Sequence, residues 1–270
     1  MDRQVTLAAP AQRVVSLAPS NTEILFAIGA GEQVVGRDEF SDYPEAAQAV
    51  QSVGGSWGEF DLETIVALKP DLVLAGGINS PELIASLEDL GLTVYFLPNP
   101  TTLEEMYANL ETVALLTGHE QEAADLIESL KARVQAVDEK IATVEERPTV
   151  FYELDSTDPA KPYTAGPGTF VDALIQRAGG QNIASELEGQ WVQISLEQLV
   201  VLDPQLIILG DSLFGVTVES VKERPGWEAL QAVQNDRIYP FDDNLVSRPG
   251  PRLVDGLEAL AALLHPELFK

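Results

Sequence analysis

Gly54-Gly55-Ser56-Trp57-Gly58 matches Gly-x-Ser-x-Gly, the turn that presents a nucleophilic serine between a strand and a helix. Its surroundings do not fit that role. Ala49 to Val53 is a weak strand, and the next helix waits until about Leu62, so a glycine-rich loop is the better reading. The two histidines, His119 and His265, lie far apart in sequence and read as structural or surface residues. With no cysteine, thiolate metal sites, iron–sulfur clusters, disulfides and cysteine nucleophiles are excluded, and no metal site is expected. Gly166-Pro167-Gly168-Thr169 precedes a helix but lacks the lysine and spacing of a phosphate loop, so turn chemistry accounts for it.

Binding chemistry is better represented. Trp57 and Trp191 each sit in a polar or glycine-containing stretch just before a helix start, where they read as two flat aromatic walls facing an interlobe cleft. Glu63 and Glu197 each occupy the first turn of a helix, where a carboxylate suits the macrodipole. Their duplication also makes a two-point docking pattern. Arg248, held among the turn residues of Asp243 to Arg252, is the better ligand-facing cation of that loop, and Arg252 reads as structural.

The elements that position these residues come from a repeat. Asp61 to Gly77 overlays Ser195 to Asp211 at an offset of 134, with seven of seventeen positions identical. Chance would give about one. Trp57 and Trp191 share the same offset. Asp61 and Ser195 are N-caps, and Ser195 with Gln198 suggests a capping box. A short amphipathic helix follows, ending before Pro70 or Pro204. Leu72 to Ala75 and Leu206 to Leu209 then read as strands buried on both faces of a parallel sheet.

Val14 to Leu17, Thr93 to Leu97, Thr149 to Leu154 and Arg237 to Phe241 are further strands, and Asn21 to Ile28 and Thr169 to Arg177 further helices. This alternation predicts an α/β fold of two similar lobes with central, largely parallel sheets. Residues 119–146 contain neither glycine nor proline, and carry Leu126, Leu130, Val134, Val137, Ile141 and Val144 at helical spacing. They predict one helix about 42 Å long. The expected organisation is an amino-terminal lobe over 1–118, the long connecting helix over 119–147 and a carboxy-terminal lobe over 148–270, with little closure between lobes.

Sixteen basic residues against 43 acidic ones give a net charge of −27, which argues against nucleic-acid partners and anionic membrane surfaces. No apolar run is long enough to span a bilayer, and Met1-Asp2-Arg3 opens no basic–apolar–small export signal.

Arg13-Val-Val-Ser-Leu-Ala-Pro-Ser-Asn-Thr-Glu23, Ser41-Asp-Tyr-Pro44, Leu62-Glu63, Ala67-Leu-Lys-Pro-Asp-Leu-Val73, Gly179-Gly-Gln-Asn-Ile183 and Arg248-Pro-Gly-Pro-Arg252 carry a family likeness over essentially the whole chain. The chain resembles the helical-backbone periplasmic solute-binding proteins that serve ABC importers of cobalamin, iron–siderophores and haem, its cobalamin binders above all. The resemblance implies a non-enzymatic, monomeric receptor outside the cytoplasmic membrane, periplasmic or extracellular and lipid-anchored in its precursor. It would hold a small molecule without a cofactor of its own and pass it to permease subunits.

By matched position, Ser20, Phe40 and Trp57 would line the first lobe's side of the cleft, and Tyr163, Trp191, Asn244 and Arg248 the second's. Gly76 stands where a tryptophan is expected, which thins one wall. Phe40 and Tyr163 exchange a tyrosine and a phenylalanine, and Asn244 replaces an aspartate. Glu63 and Glu197 match carboxylates that meet permease arginines. A corrinoid suits broad aromatic faces; a siderophore or haem is the alternative within the family. A chelatase-like enzyme using acids such as Glu59 or Glu153 is the alternative class.

Overall fold

The structure is a computed structural model and describes residues 5–55 and 59–269. Contacts divide the chain into two compact units. The first holds residues up to Lys131 together with Arg248–Pro251; the second holds Ala132–Ser247 and Arg252 onward.

In the first unit the chain runs β1 (Val14–Ser16), α1 (Pro19–Ala27), β2 (Val34–Arg37), α2 (Leu62–Ala67), β3 (Leu72–Gly76), α3 (Pro81–Asp89), β4 (Val94–Leu97) and α4 (Leu103–Thr117). The four strands form one parallel sheet in the order β2-β1-β3-β4. Helix α1 begins two residues ahead of the sequence expectation because Pro19 fits the first turn, where its missing N–H has no partner to lose.

Next comes α5 (Glu120–Ile141), 22 residues or about 33 Å rather than 42 Å. It stops short of residue 146 because the amides of Thr143 and Val144 bond three residues back, to Lys140 and Ile141, which tightens the last turn out of α-helical geometry. Its buried stripe is Ala123, Ile127, Leu130, Val134, Val137 and Ile141, spaced 4, 3, 4, 3 and 4. Leu126, expected on that stripe, is only half-buried, and Ile127 takes its place.

The second unit runs β5 (Thr149–Asp155), β6 (Tyr163–Ala165), α6 (Phe170–Arg177), β7 (Gln181–Asn182), β8 (Trp191–Gln193), α7 (Leu196–Leu202), β9 (Leu206–Leu209), α8 (Val218–Lys222), α9 (Gln231–Gln234), β10 (Ile238–Pro240), α10 (Asn244–Ser247) and α11 (Leu253–Leu264). Its sheet has the order β10-β9-β5-β6-β8, with β7 pairing β5. Strands β10, β9 and β5 are parallel, whereas β6 pairs antiparallel with both β5 and β8. Ion pairs tie the long helix to α11 and α6: Arg133 of α5 donates to Asp255 and Glu258 of α11, and Arg177 of α6 donates to Asp138 of α5.

The repeat recurs in three dimensions. Ile65 and Leu199, at matched positions on α2 and α7, are both fully buried, as are Val73 with Ile207 and Ala75 with Leu209 on the strands that follow. Each member belongs to the core cluster of its own unit. The caps also match: Asp61 accepts from the Thr64 amide at 2.9 Å and Ser195 from the Gln198 amide at 3.2 Å. Gln198 lines a cavity of about 730 Å³ together with Arg147, Gln181, Glu186 and Leu187. Leu199→Ala is expected to cost about 2–5 kcal/mol of stability, the range for an emptied core leucine. Urea unfolding of the full chain checks it; an unchanged midpoint would place Leu199 outside the core.

Candidate functional site

In open α/β sheets, ligands bind beyond the carboxyl ends of the parallel strands, because the loops there are free of the packing that fixes the sheet. Most of the sequence-derived candidates lie at those ends.

In the first unit, β1 leads through Leu17 and Ala18 into α1, whose first turn carries the buried Ser20. Beyond β2, the buried Asp38 accepts from the Phe40 amide at 3.0 Å and from the Ser41 hydroxyl. The Thr22 hydroxyl lies 2.7 Å from that of Ser41, tying this turn to α1. The turn holds the Phe40 ring out, 42% exposed. Gly76, the last residue of β3, is different. Its amide donates to Asn79 Oδ1 at 2.7 Å, and a Cβ there would lie 3.0 Å from the Ala18 Cβ and 3.4 Å from Asn21 Nδ2. It contributes backbone and no open face. Trp57 lies outside the described residues.

Arg248 belongs by its contacts to the first unit, not the second as the sequence suggested. It is 13% exposed and its Nη1 donates to Asp42 at 2.6 Å and Glu23 at 3.2 Å. Two carboxylates therefore already match its charge. These partners, 206 and 225 residues away in sequence, gave no local signal.

In the second unit, Tyr163 and Trp191 stand on neighbouring strands. Tyr163 pairs with Gln193 and Ala165 with Trp191, so both aromatic side chains share one face of the β6–β8 ribbon at diagonal positions. Both are exposed. Trp191 rests edge-on against the buried Phe170, with centroids 5.9 Å apart at 63°. Sequence reasoning missed Phe170, although it directly follows the Thr169 cap of α6. Asn244 opens α10 beyond β10, with its amide and its Nδ2 both donating to Asp242 Oδ1.

Behind this rim is an ionic cluster. Glu153, fully buried on β5, accepts from Arg224 at 2.6 and 2.9 Å, and Arg224 also donates to Ser156 at 2.7 Å. Burial pushes the Glu153 carboxyl up to about 7 against the opposing pull of Arg224. Burial likewise raises Asp211 and Asp243. Asp211 accepts from Ser156 through Oδ2 and Asp243 accepts from Tyr152.

A Glu153 so enclosed is not a cleft acid, which removes it as a catalytic candidate. Glu59 lines a pocket of about 380 Å³ together with Phe60, Leu62 and Ile78. His119 neighbours Glu122 at the start of α5, and the buried His265 faces the Gly179 carbonyl at 3.2 Å. Among the described residues no group of three or more acidic or histidine side chains could hold a metal ion. Nor, among them, is any helix long and apolar enough to cross a membrane. Glu63 and Glu197 are both exposed in the first turns of α2 and α7.

Exposed aromatic side chains near the strand ends of each α/β unit suit the binding of a broad apolar surface. The chain belongs to the periplasmic binding protein family, whose model matches residues 14–245. Members of this family are substrate-binding components of ABC transporters, in the group that serves vitamin B12, haem and siderophores. The ABC transporter substrate-binding lipoprotein YvrC of Bacillus subtilis is 36% identical over all of this chain and 85% of its own length. The crystal structure of the periplasmic vitamin B12-binding protein BtuF of Vibrio cholerae is similar at a TM-score of 0.81 and 29% identity, covering 97% of this chain and 99% of that one. The periplasmic haem-binding protein RhuT of Roseiflexus is similar at a TM-score of 0.84 and 28% identity, covering 96% and 99%.

Proposed function

We propose that this protein is an extracytoplasmic receptor that captures cobalamin or another corrinoid and delivers it to the permease of an ABC importer. The observation that carries the reading is the exposed aromatic face of the second unit, with Tyr163 and Trp191 on one side of a ribbon and Phe170 beneath. A corrinoid is a broad, largely apolar disk with amide arms. Aromatic faces bury such a surface without covalent chemistry, and Phe40, Ser20 and Asn244 supply a further ring and polar groups on the same kind of rim. The likeness to vitamin B12 binders supports this cargo. Glu63 and Glu197, one per unit, are the groups that meet basic residues of the permease.

Isothermal titration of the purified chain with cyanocobalamin tests the reading. One-to-one binding is expected, weakened on the order of tenfold or more by Trp191→Ala, since a buried indole contributes a few kcal/mol at such contacts. No heat with cyanocobalamin would sink the corrinoid reading. Haem is the second reading, because Tyr43 and Tyr163 are both exposed phenols of the type that ligates haem iron. A Soret band that shifts on adding haemin, and is lost in Tyr163→Phe or Tyr43→Phe, would favour it.

A further inference from the structure

The repeat continues past the strands into loops whose roles the sequence leaves unassigned. Residues 76–80, from the last residue of β3 onward, correspond at the same offset of 134 to Gly210–Phe214 after β9, a single 3-10 turn. Both loops expose large apolar side chains. Ile78 is 61% exposed in the first, and Leu213 and Phe214 are 55% and 85% exposed in the second. Exposing a phenylalanine almost entirely forgoes burial that a core would use, so an anchored turn that does so points to an occupant.

The second turn is anchored on both sides. Asp211 accepts from Ser156 at the end of β5, at 2.6 Å, and the Ser212 hydroxyl donates to the Phe241 carbonyl at the end of β10, at 2.9 Å. Gly215, at φ +95°, then turns the chain back in a conformation that a side chain would strain. Leu213 and Phe214 therefore project from a fixed scaffold at the carboxyl end of β9. Tyr163 is on this rim too, since it pairs with Asp155 at the end of β5, and so is Asn244, just beyond β10.

We infer that Leu213 and Phe214 form an apolar ligand contact on the rim of the second unit, taking the flat or alkyl-rich flank of the transported molecule. This rests on the ligand reading above and adds contacts to it. In the first unit Ile78, at the position matched to Ser212, is the exposed apolar side chain of the corresponding loop. Because Gly76 is closed by packing, these loop side chains supply the apolar surface that a large residue at that strand end would otherwise offer.

The test is titration of the purified full chain with cyanocobalamin, and with haemin and a ferric siderophore in parallel. Phe214→Ser is expected to weaken binding of whichever probe the unsubstituted protein takes by about tenfold, with Phe214→Tyr restoring most of it. Leu115→Ser, which removes another largely exposed apolar side chain, from α4, is expected to leave affinity unchanged. Unchanged affinity in a folded Phe214→Ser protein would overturn the inference alone. If that variant kept its affinity but lost uptake in cells, the turn would belong to permease contact, which also overturns it. Silence of the unsubstituted protein toward all three probes would overturn the ligand reading itself and the inference with it.

Discussion

Replacing Arg224 with methionine is expected to cost about 3–5 kcal/mol of stability at pH 8, the range for breaking one half of a buried ion pair. Arg224 is 8% exposed and forks onto both oxygens of the fully buried Glu153, while its guanidinium stacks 4.4 Å from the ring of the buried Trp227. Methionine keeps part of the stem and its contact with the indole but leaves Glu153 and Asp211 without a cation. The loss depends on pH in a defined direction. Glu153 holds its proton up to about 7 in the folded chain, against an ordinary value of 4.5.

Between those values the folded state binds more protons than the unfolded one, so stability rises as pH falls from about 7 toward 4.5 and is flat above. Asp211 and Asp243, also raised by burial, act in the same direction. The Arg224→Met penalty should therefore shrink at pH 5, where Glu153 is neutral, and Glu153→Gln in the same chain should recover much of it at pH 8. Guanidinium unfolding at pH 5 and pH 8 checks both. Equal penalties at the two values, with no recovery in the double variant, would show that the pair is not the charged cluster described.

The largest functional effect is expected from Glu63→Ala combined with Glu197→Ala: uptake falls to background while ligand affinity stays within about twofold, a change of roughly 0.4 kcal/mol. Both acids are exposed, both stand in the first turn of a repeated helix, and neither belongs to the aromatic rims. An exposed carboxylate in a helix's first turn contributes little to stability, at most about 1 kcal/mol, so folding should survive its removal. An exposed acid facing a basic partner chiefly governs encounter and orientation. Uptake of labelled cyanocobalamin in cells, beside titration of the same variants, separates docking from binding. Normal transport by the double variant would reject the docking role. Lost affinity would move the two acids into the ligand site.

Much of the frame was legible because it rests on local chemistry repeated twice. Asp61 and Ser195 announce their helices through hydroxyl or carboxylate caps, and the glycine-bounded apolar runs at Leu72 and Leu206 suit strands covered on both faces. The antiparallel β6–β8 ribbon was not legible, since three-residue strands such as Tyr163–Ala165 carry too little periodicity to read. The end of α5 was missed because no glycine or proline marks it. Arg248 shows the deeper limit. Its neighbours in sequence identify a turn, but the carboxylates that bind it arrive from more than 200 residues away.

The closed surroundings of Gly76 bear on how this receptor could change its cargo over generations. A side chain placed there would start 3.0 Å from the Ala18 Cβ and 3.4 Å from Asn21 Nδ2, so the entry into α1 would have to shift by a few tenths of an ångström to admit it. Phe40, Tyr163 and Phe214 face outward and can be exchanged one at a time. Divergence toward a ligand of another size therefore has open routes through these outward positions, while the route through Gly76 needs its neighbours to move as well.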